Sequence, residues 1–387
     1  MVHDPRPAPE ADRGQQQIEG GTSKPAERTK PREHAWAAAR AISRVVFRNR
    51  VTVRHCITLA QRANASESFD AGPCRVSAVS TDQLQERQAM PGAPQIFDRK
   101  FMRMRRDRIA KATGGANLPD FLLERVAEDF AERLSLVRRD FPVAVSLGAY
   151  NGLVAERLRT LPAIGTIIDV ESSLASLMRA RGLKVVADEE ALPFAAASLD
   201  LVVSGLALHL VNDLPGALIQ INRALKPDGL FLGALLGGET LKELREAWIL
   251  AEDEVLGGAS PRVAPFADVR ELGGLLQRAG FALPVADSDL VEVTYASPLA
   301  LMREIKAMAA SNALTERRRT PVTRTLLLRA AQIYQERFGL PGGRVPATFE
   351  IVTLTGWVPH ESQQKPLRPG SAEVSLKDVL KPRSKGL

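Results

Sequence analysis

Val143-Ala144-Val145-Ser146-Leu147-Gly148-Ala149-Tyr150-Asn151-Gly152 is the stretch on which the fold turns. A short apolar run that ends abruptly in glycine reads as a buried strand feeding a tight turn. Gly148 permits the turn, and Gly152 allows a helix to pack close to the strand. Alone the pattern is weak, because Gly-xxx-Gly after an apolar run often arises by chance. Its weight comes from the segments downstream. Strand-like segments near 164–170, 184–187, 199–204 and 229–236 alternate with helix-like segments near 152–160, 172–181 and 213–225. Such alternation predicts an α/β, doubly wound, Rossmann-like parallel sheet with helices on both faces.

In that architecture ligands sit beyond the carboxyl ends of the strands, where strand order reverses. Strand two ends Ile167-Ile168-Asp169, and Asp169 stands 21 residues beyond Gly148. An acid there can accept hydrogen bonds from both hydroxyls of a ribose. It can equally cap the helix that follows. After strand three comes Ala187-Asp188-Glu189-Glu190-Ala191-Leu192-Pro193-Phe194. Asp188 and Glu189 can meet an adenine amino group while Leu192 and Phe194 close the slot. Strand four, Leu199-Asp200-Leu201-Val202-Val203-Ser204, leads into Gly205-Leu206-Ala207-Leu208-His209. This places Ser204 and Leu206 where the loop faces the reactive end of a bound cofactor. His209 is the one candidate for catalysis, with an ordinary pKa suited to proton transfer, although a lone loop histidine more often packs than reacts.

These residues resemble the class I S-adenosylmethionine-dependent methyltransferases, including the malonyl-carrier-protein methyltransferase of biotin synthesis. Further pieces resemble the respiratory complex I assembly factor 5 family. They are Ile96-Phe97-Asp98-Arg99, Leu208-His209-Leu210-Val211-Asn212-Asp213-Leu214-Pro215, Gly237-Gly238-Glu239-Thr240-Leu241, Val345-Pro346-Ala347-Thr348, Gly356-Trp357 and His360-Glu361-Ser362. The resemblance covers roughly 95–378. It implies S-adenosylmethionine as cofactor, held by Gly148, Gly152, Asp169, Asp188, Glu189, Ser204 and Leu206. It also implies a protein or carrier-bound substrate, with a complex I subunit as the protein case. The mitochondrial branch is associated with arginine hydroxylation, so the fold alone does not specify methyl transfer. A non-catalytic assembly chaperone on the same fold is the alternative. The implied location is the bacterial cytoplasm, with a peripheral place at the inner membrane, or the mitochondrial matrix in a eukaryote.

The chain departs from the methyltransferase pattern at two places. The first motif usually reads acid-x-Gly-x-Gly-x-Gly. Here Ser146 replaces the acid that helps hold the cofactor's amino group, and Tyr150 replaces the middle glycine. A tyrosine there must turn its ring away or crowd the cofactor.

Composition bounds the rest. An apolar fraction of 45% and a charged fraction of 25% are ordinary for a globular protein. Residues 1–90 carry 14 Lys/Arg and 10 Asp/Glu, which leaves only +3 of the net +7 for everything after. The domain is therefore only mildly basic, and nucleic acid is not expected as a partner. Cys56 and Cys74 both precede the domain, and the five histidines are scattered, so no metal site is expected. No apolar run is long enough for a transmembrane helix.

Residues 1–94 read as a disordered basic extension, 95–378 as the cofactor domain with a helical cap around 239–340, and 379–387 as a flexible tail. Residues 35–62 are basic and part apolar, compatible with a short membrane-surface helix. The start lacks the pattern of a signal peptide and carries early acids. Met90 stands before the breaker cluster Pro91-Gly92-Ala93-Pro94, which reads as a boundary and as an alternative start. The cluster of Arg99, Lys100, Arg103, Arg105, Arg106 and Arg108 is either a solvated helix face or a docking surface for an acidic partner or anionic membrane. Thr240-Leu241-Lys242-Glu243 reads as a capping box opening a helix, and 345–357 as a late edge strand.

Overall fold

The computed structural model describes residues 95–113 and 119–364. The extension before 95, the surface helix at 35–62 and the tail at 379–387 lie outside the described residues. Two helices lead in, α1 (Arg99–Thr113) and α2 (Phe121–Leu136). Then come β1 (Phe141–Leu147), α3 (Leu153–Leu158), β2 (Ile164–Glu171), α4 (Leu174–Leu177), β3 (Leu183–Val186) and β4 (Leu199–Gly205). The chain continues through a 3-10 turn (Leu208–Leu210), α5 (Leu214–Ala224), β5 (Leu225–Leu236), α6 (Lys242–Leu256) and α7 (Val269–Arg278). It closes with β6 (Ala282–Tyr295), α8 (Pro298–Ala307), α9 (Arg324–Phe338) and β7 (Val345–Trp357).

The strands form one seven-stranded sheet in the order β3-β2-β1-β4-β5-β7-β6. β1 to β5 run parallel, and β7 is antiparallel to both β5 and β6. This is the Rossmann-like class I methyltransferase sheet, doubly wound as the alternation predicts. β1 lies between β2 and β4, so the order reverses beside it and opens a crevice at its carboxyl end.

Successive side chains of a strand point to opposite faces, and the parallel strands are apolar on both. Ala144, Leu201, Val203 and Leu232 pack with Val126, Phe130, Leu158, Trp248 and Tyr334 on one face. Val143, Val145, Leu147 and Val202 pack with Leu218, Ile221, Leu272 and Leu276 on the other. Tyr334 and Trp357 belong to the core: the Tyr334 hydroxyl donates to the Pro346 carbonyl at 2.7 Å, and Trp357 closes β7 against β5.

Three local readings change. β7 is not an edge strand, because β6 pairs along its outer side. The sequence reading passes over β6, whose segment carries Pro284 and three acids. Proline and charge are tolerated on an edge strand. Two of those acids are tied down by α2: Asp287 by Arg133 and Asp289 by Arg125. The third change concerns the capping box, which does not form. Leu241 holds the N-cap position of α6 with φ +53 and no side-chain cap. The Thr240 hydroxyl accepts from the Glu350 amide at 3.1 Å, and Glu243 accepts from the Thr348 amide at 3.2 Å. Buried donors on β7 outcompete the local partner, which is a tertiary override of a local preference.

Candidate functional site

The tight turn after β1 is built as its glycines require. Gly148 takes φ +67, and a Cβ there would lie 2.2 Å from the Ala207 Cβ, so the turn and the loop after β4 meet face to face. Gly152 takes φ +83 at the start of α3, and a Cβ there would lie 2.6 Å from that of Ala180. Tyr150 also adopts a left-handed φ, +51, so the turn keeps a path that suits glycine. The Tyr150 amide donates to Glu171 at 3.0 Å. The ring is half-buried against the core, and the hydroxyl is closed to solvent with no hydrogen-bond partner among the described residues.

β2 ends one acid later than the sequence reading places it. Asp169 and Glu171 lie on the same face, and both are fully buried. Asp169 Oδ2 accepts from Arg159 at 2.7 Å, while Oδ1 has no partner. Burial pushes the Asp169 carboxyl up to about 6 despite Arg159. The cap of α4 is Ser173, not Asp169. Glu171 accepts from the Tyr150 and Ser173 amides, the Ser172 hydroxyl and Arg106. Burial works against this carboxylate, but Arg106 and those hydrogen bonds hold it below the usual range. Sequence reasoning missed Glu171. Its position two residues after Asp169, on the same strand face, was the available signal.

Asp188 and Glu189 are buried together after β3. Arg99 reaches both, donating to Asp188 Oδ1 at 2.7 Å and to Glu189 Oε2. Arg106 donates to both oxygens of Glu171, at 3.0 and 3.1 Å, and lies 3.8 Å from Glu189 Oε1. Burial alone would lower both arginines. Glu189 and Asp188 raise Arg99 instead, and Glu171 and Glu189 raise Arg106, so both stay charged. The basic cluster of α1 therefore divides. Arg99 and Arg106 turn inward as counter-charges, a role the sequence reading did not give them. Arg105 stacks on the Phe101 ring beside Arg317, and Lys100 and Arg108 remain exposed.

The remaining candidates close the crevice from the β4 side. Ser204 ends fully buried with its hydroxyl unpartnered. Leu206 is half-buried, at φ +51, with its amide bonded to the Ala234 carbonyl at 2.9 Å. His209 meets Phe266 edge-on at 5.5 Å, and its Nδ1 is buried without a partner. Burial, with Arg106 adding to it, pushes His209 down to about 3, so the ring is neutral. Leu192 and Phe194 pack against the second core face. Glu190 stays outside the cluster, accepting from the Asn212 amide.

Motifs far apart in sequence converge here. Phe97 and Asn212 exchange hydrogen bonds at 2.8 and 3.1 Å, and Arg99 also donates to the Leu210 carbonyl at 3.1 Å. Gly237 and Glu239 both donate to Glu350, and Leu241 donates to Thr348. The crevice thus offers buried, unpartnered acceptors on Asp169, Glu189 and Ser204, and polar groups of either sense on Tyr150 and His209. Ribose hydroxyls, an amine and a carboxylate would satisfy such a set.

Known proteins resemble this chain. A family model described as a methyltransferase domain matches residues 145–233. The zebrafish (Danio rerio) protein named arginine-hydroxylase NDUFAF5, mitochondrial, is 41% identical over 290 residues, spanning 74% of this chain and 90% of that one. The human protein of the same name is 40% identical over 296 residues, 75% of this chain and 85% of its own. The chain belongs to the NDUFAF5 family. A malonyl-[acyl-carrier protein] O-methyltransferase from Halorhodospira halophila is 33% identical over 301 residues, 76% of this chain and 99% of that protein. NDUFAF5-like proteins are thus relatives of methyltransferases, the fold is that of class I, and the cofactor is S-adenosylmethionine. Among the described residues no group of His, Cys, Asp and Glu is placed to hold a metal ion, and no helix is long and apolar enough to cross a membrane.

Proposed function

We propose that this NDUFAF5 relative is an S-adenosylmethionine-dependent enzyme that modifies a protein or carrier-bound substrate, in the assembly of respiratory complex I. The supporting observation is the crevice at the carboxyl ends of β1, β2 and β4, where several buried polar atoms have no hydrogen-bond partner among the described residues. When bound, the cofactor supplies an electrophilic methyl group on a cationic sulfur. In this reading Asp169 accepts from the ribose hydroxyls, and Asp188 accepts from the adenine amine. Leu192 and Phe194 cover the base. Gly148 and Gly152 let the backbone pass close to the ligand. Ser204 and Leu206 line the reacting end.

His209 stands as the weak candidate for catalysis. Neutral and edge-on to Phe266, it can orient an acceptor by a hydrogen bond at Nδ1. So low a pKa makes it a poor proton acceptor. Rate enhancement would then rest on proximity and exclusion of water. Within a domain of 95–378, the segment around 239–340 would cover the acceptor entrance with helices alone, since its β6 is an edge strand of the sheet.

The names of the relatives make a protein arginine the first acceptor to test, with hydroxylation and methylation both open, and a carrier-bound malonyl group the second. The experiment is mass spectrometry of complex I subunits from cells with and without the protein. One subunit should lose a modification, either one added oxygen or one added CH2. Identical spectra would remove the protein-substrate reading. A purely chaperone role is favoured by one observation: Arg99 and Arg106 already occupy the acids of the crevice. Calorimetric titration with S-adenosylmethionine separates the two readings, since a closed pocket binds nothing.

A further inference from the structure

Three acids and two arginines share the buried centre of the crevice. From α1 come Arg99 and Arg106, from β2 comes Glu171, and from the loop after β3 come Asp188 and Glu189. One oxygen of these acids is left without a hydrogen bond among the described residues. Glu171 is saturated by Arg106, two amides and a hydroxyl. Asp188 Oδ1 accepts from Arg99 and from the Glu190 amide. Glu189 gives one oxygen to Arg99, but its Oε1 has no hydrogen-bond partner, with Arg106 no nearer than 3.8 Å. That free oxygen is aimed at the turn after β1: a Cβ on Gly148 would lie 3.2 Å from it. The same turn carries Ser146 where methyltransferases have an acid.

We propose that Glu189 is the carboxylate that recognises the positive sulfur of S-adenosylmethionine and so sets the cofactor's advantage over its demethylated product. This rests on the cofactor reading above. An unpaired buried carboxylate is costly, and a cation arriving beside it relieves that cost. The attraction between charges falls only as the inverse of distance in a water-poor crevice, so Glu189 need not touch the sulfur. S-adenosylmethionine carries a net positive charge from its sulfur. The product has lost that charge with the methyl group but keeps the same amine, carboxylate and nucleoside. An unpaired buried carboxylate therefore holds the cofactor and lets the product go.

Glu189 has a titration signature. Burial, with Asp188 and Glu171 alongside, raises its pKa in spite of Arg99 and Arg106. Glu190 adds to the negative side through Arg99, and His209 facing Arg106 is neutral. A cation nearby lowers the Glu189 pKa again, so binding S-adenosylmethionine releases a proton that binding the product does not.

The test is calorimetric titration of the full chain and of Glu189→Gln with S-adenosylmethionine and with S-adenosylhomocysteine. The expected result is a loss of about tenfold or more for the cofactor, with a change below about threefold for the product. Equal losses for both, or no loss for either, overturn the proposal while leaving the cofactor reading intact. Should Glu189→Gln not fold, the wild type carries the test. Its affinity for S-adenosylmethionine should weaken as pH falls through the raised Glu189 range, with proton release detected by repeating the titration in buffers of different ionisation enthalpy. The product should show neither. Identical pH dependence for both ligands overturns the proposal. Binding of neither ligand to wild type removes the proposal together with the reading beneath it.

Discussion

Arg106 donates to both oxygens of Glu171, at 3.0 and 3.1 Å, with both side chains almost closed to solvent. The contact joins α1 to the end of β2 across 65 residues of sequence. Because Glu171 also accepts from the Tyr150 amide, the lead-in helix, the glycine turn and the second strand are fixed to one carboxylate. α1 is thus a wall of the crevice rather than a handle outside it.

We predict that Arg106→Ala destabilises the protein by about 3–5 kcal/mol, the usual cost of leaving one partner of a buried ion pair uncompensated. Arg106→Lys should recover part of this, since a single nitrogen, Nη1, makes both contacts with Glu171. The pH dependence follows from the lowered pKa of Glu171. Its contribution is present above the unfolded value and is lost as pH falls through the folded one. The gap between wild type and Arg106→Ala should therefore close in acid. Urea unfolding at several pH values measures this, and a loss below about 1 kcal/mol at neutral pH would show the pair to be idle.

Asp169 predicts the opposite sign. Its carboxyl is raised from 3.8 to about 6, chiefly by burial. Between those values the folded state holds a proton that the unfolded state does not, so stability falls as pH rises through that window. Asp169→Asn, which cannot ionise, should therefore melt higher than wild type above pH 6 and equally below 3.8. The stabilisation above the window should be about 1–3 kcal/mol. The same change, or Asp169→Ala, should weaken S-adenosylmethionine binding by about 1.5–3 kcal/mol, the range for a hydrogen bond to a charged group. Unchanged binding in a folded variant would take Asp169 out of the ribose site.

How much of this was legible depends on which forces act locally. The parallel strands announced themselves because they are apolar on both faces and end at glycine or acid. The turn glycines were legible because only glycine takes those backbone angles cheaply beside Ala207 and Ala180. β6 was not, because an edge strand can carry acids whose partners, Arg125 and Arg133, lie on a distant helix. The capping box failed for the same reason, since Thr240 and Glu243 found partners on β7. In the crevice, spacing pointed to Asp169, and the same-face position two residues on marked Glu171, where the sequence reading stopped short. The arginines of α1 read as a charged surface because their acids lie far along the chain, in β2 and after β3. Local sequence carries periodicity and turn chemistry; it does not carry the partner of a long side chain.

Tyr150 offers a test of which way its hydroxyl serves. The group is buried without a hydrogen bond among the described residues, and burial raises its pKa. Removing an unsatisfied buried hydroxyl stabilises a fold by about 1 kcal/mol or more. Tyr150→Phe should then melt slightly higher than wild type without ligand. If the hydroxyl faces the cofactor, the same variant should bind S-adenosylmethionine more weakly. Tyr150→Gly asks a different question. The turn already has the left-handed path that glycine prefers, so cofactor affinity should rise or stay level, while the lost ring packing lowers the melting temperature. A clear drop in affinity for Tyr150→Gly would mean that the ring itself is part of the binding surface.

The last prediction separates the extension from α1. Phe97, Asp98 and Arg99 are all engaged: Phe97 exchanges hydrogen bonds with Asn212, Asp98 pairs with Arg317, and Arg99 pairs with Asp188 and Glu189. A chain begun at Met90 keeps every one of these contacts. Residues 1–90 are poor in large apolar groups over their first third, and nothing in their composition calls for a packed core. That shortened chain should melt within a few degrees of full length and bind S-adenosylmethionine equally. A chain begun at Pro119 lacks α1. It leaves Glu171, Asp188 and Glu189 without Arg99 and Arg106, the arginines that pair with them. Such a site cannot stay both folded and ionised at neutral pH. The Pro119 chain should therefore lose most of its stability and recover some of it in acid, where the carboxyls are neutral. Thermal melts of the three chains at two pH values decide it. Equal stability of the Pro119 chain and full length would show that α1 lies on the crevice without holding it. A large loss already at the Met90 chain would show that the extension packs against the domain.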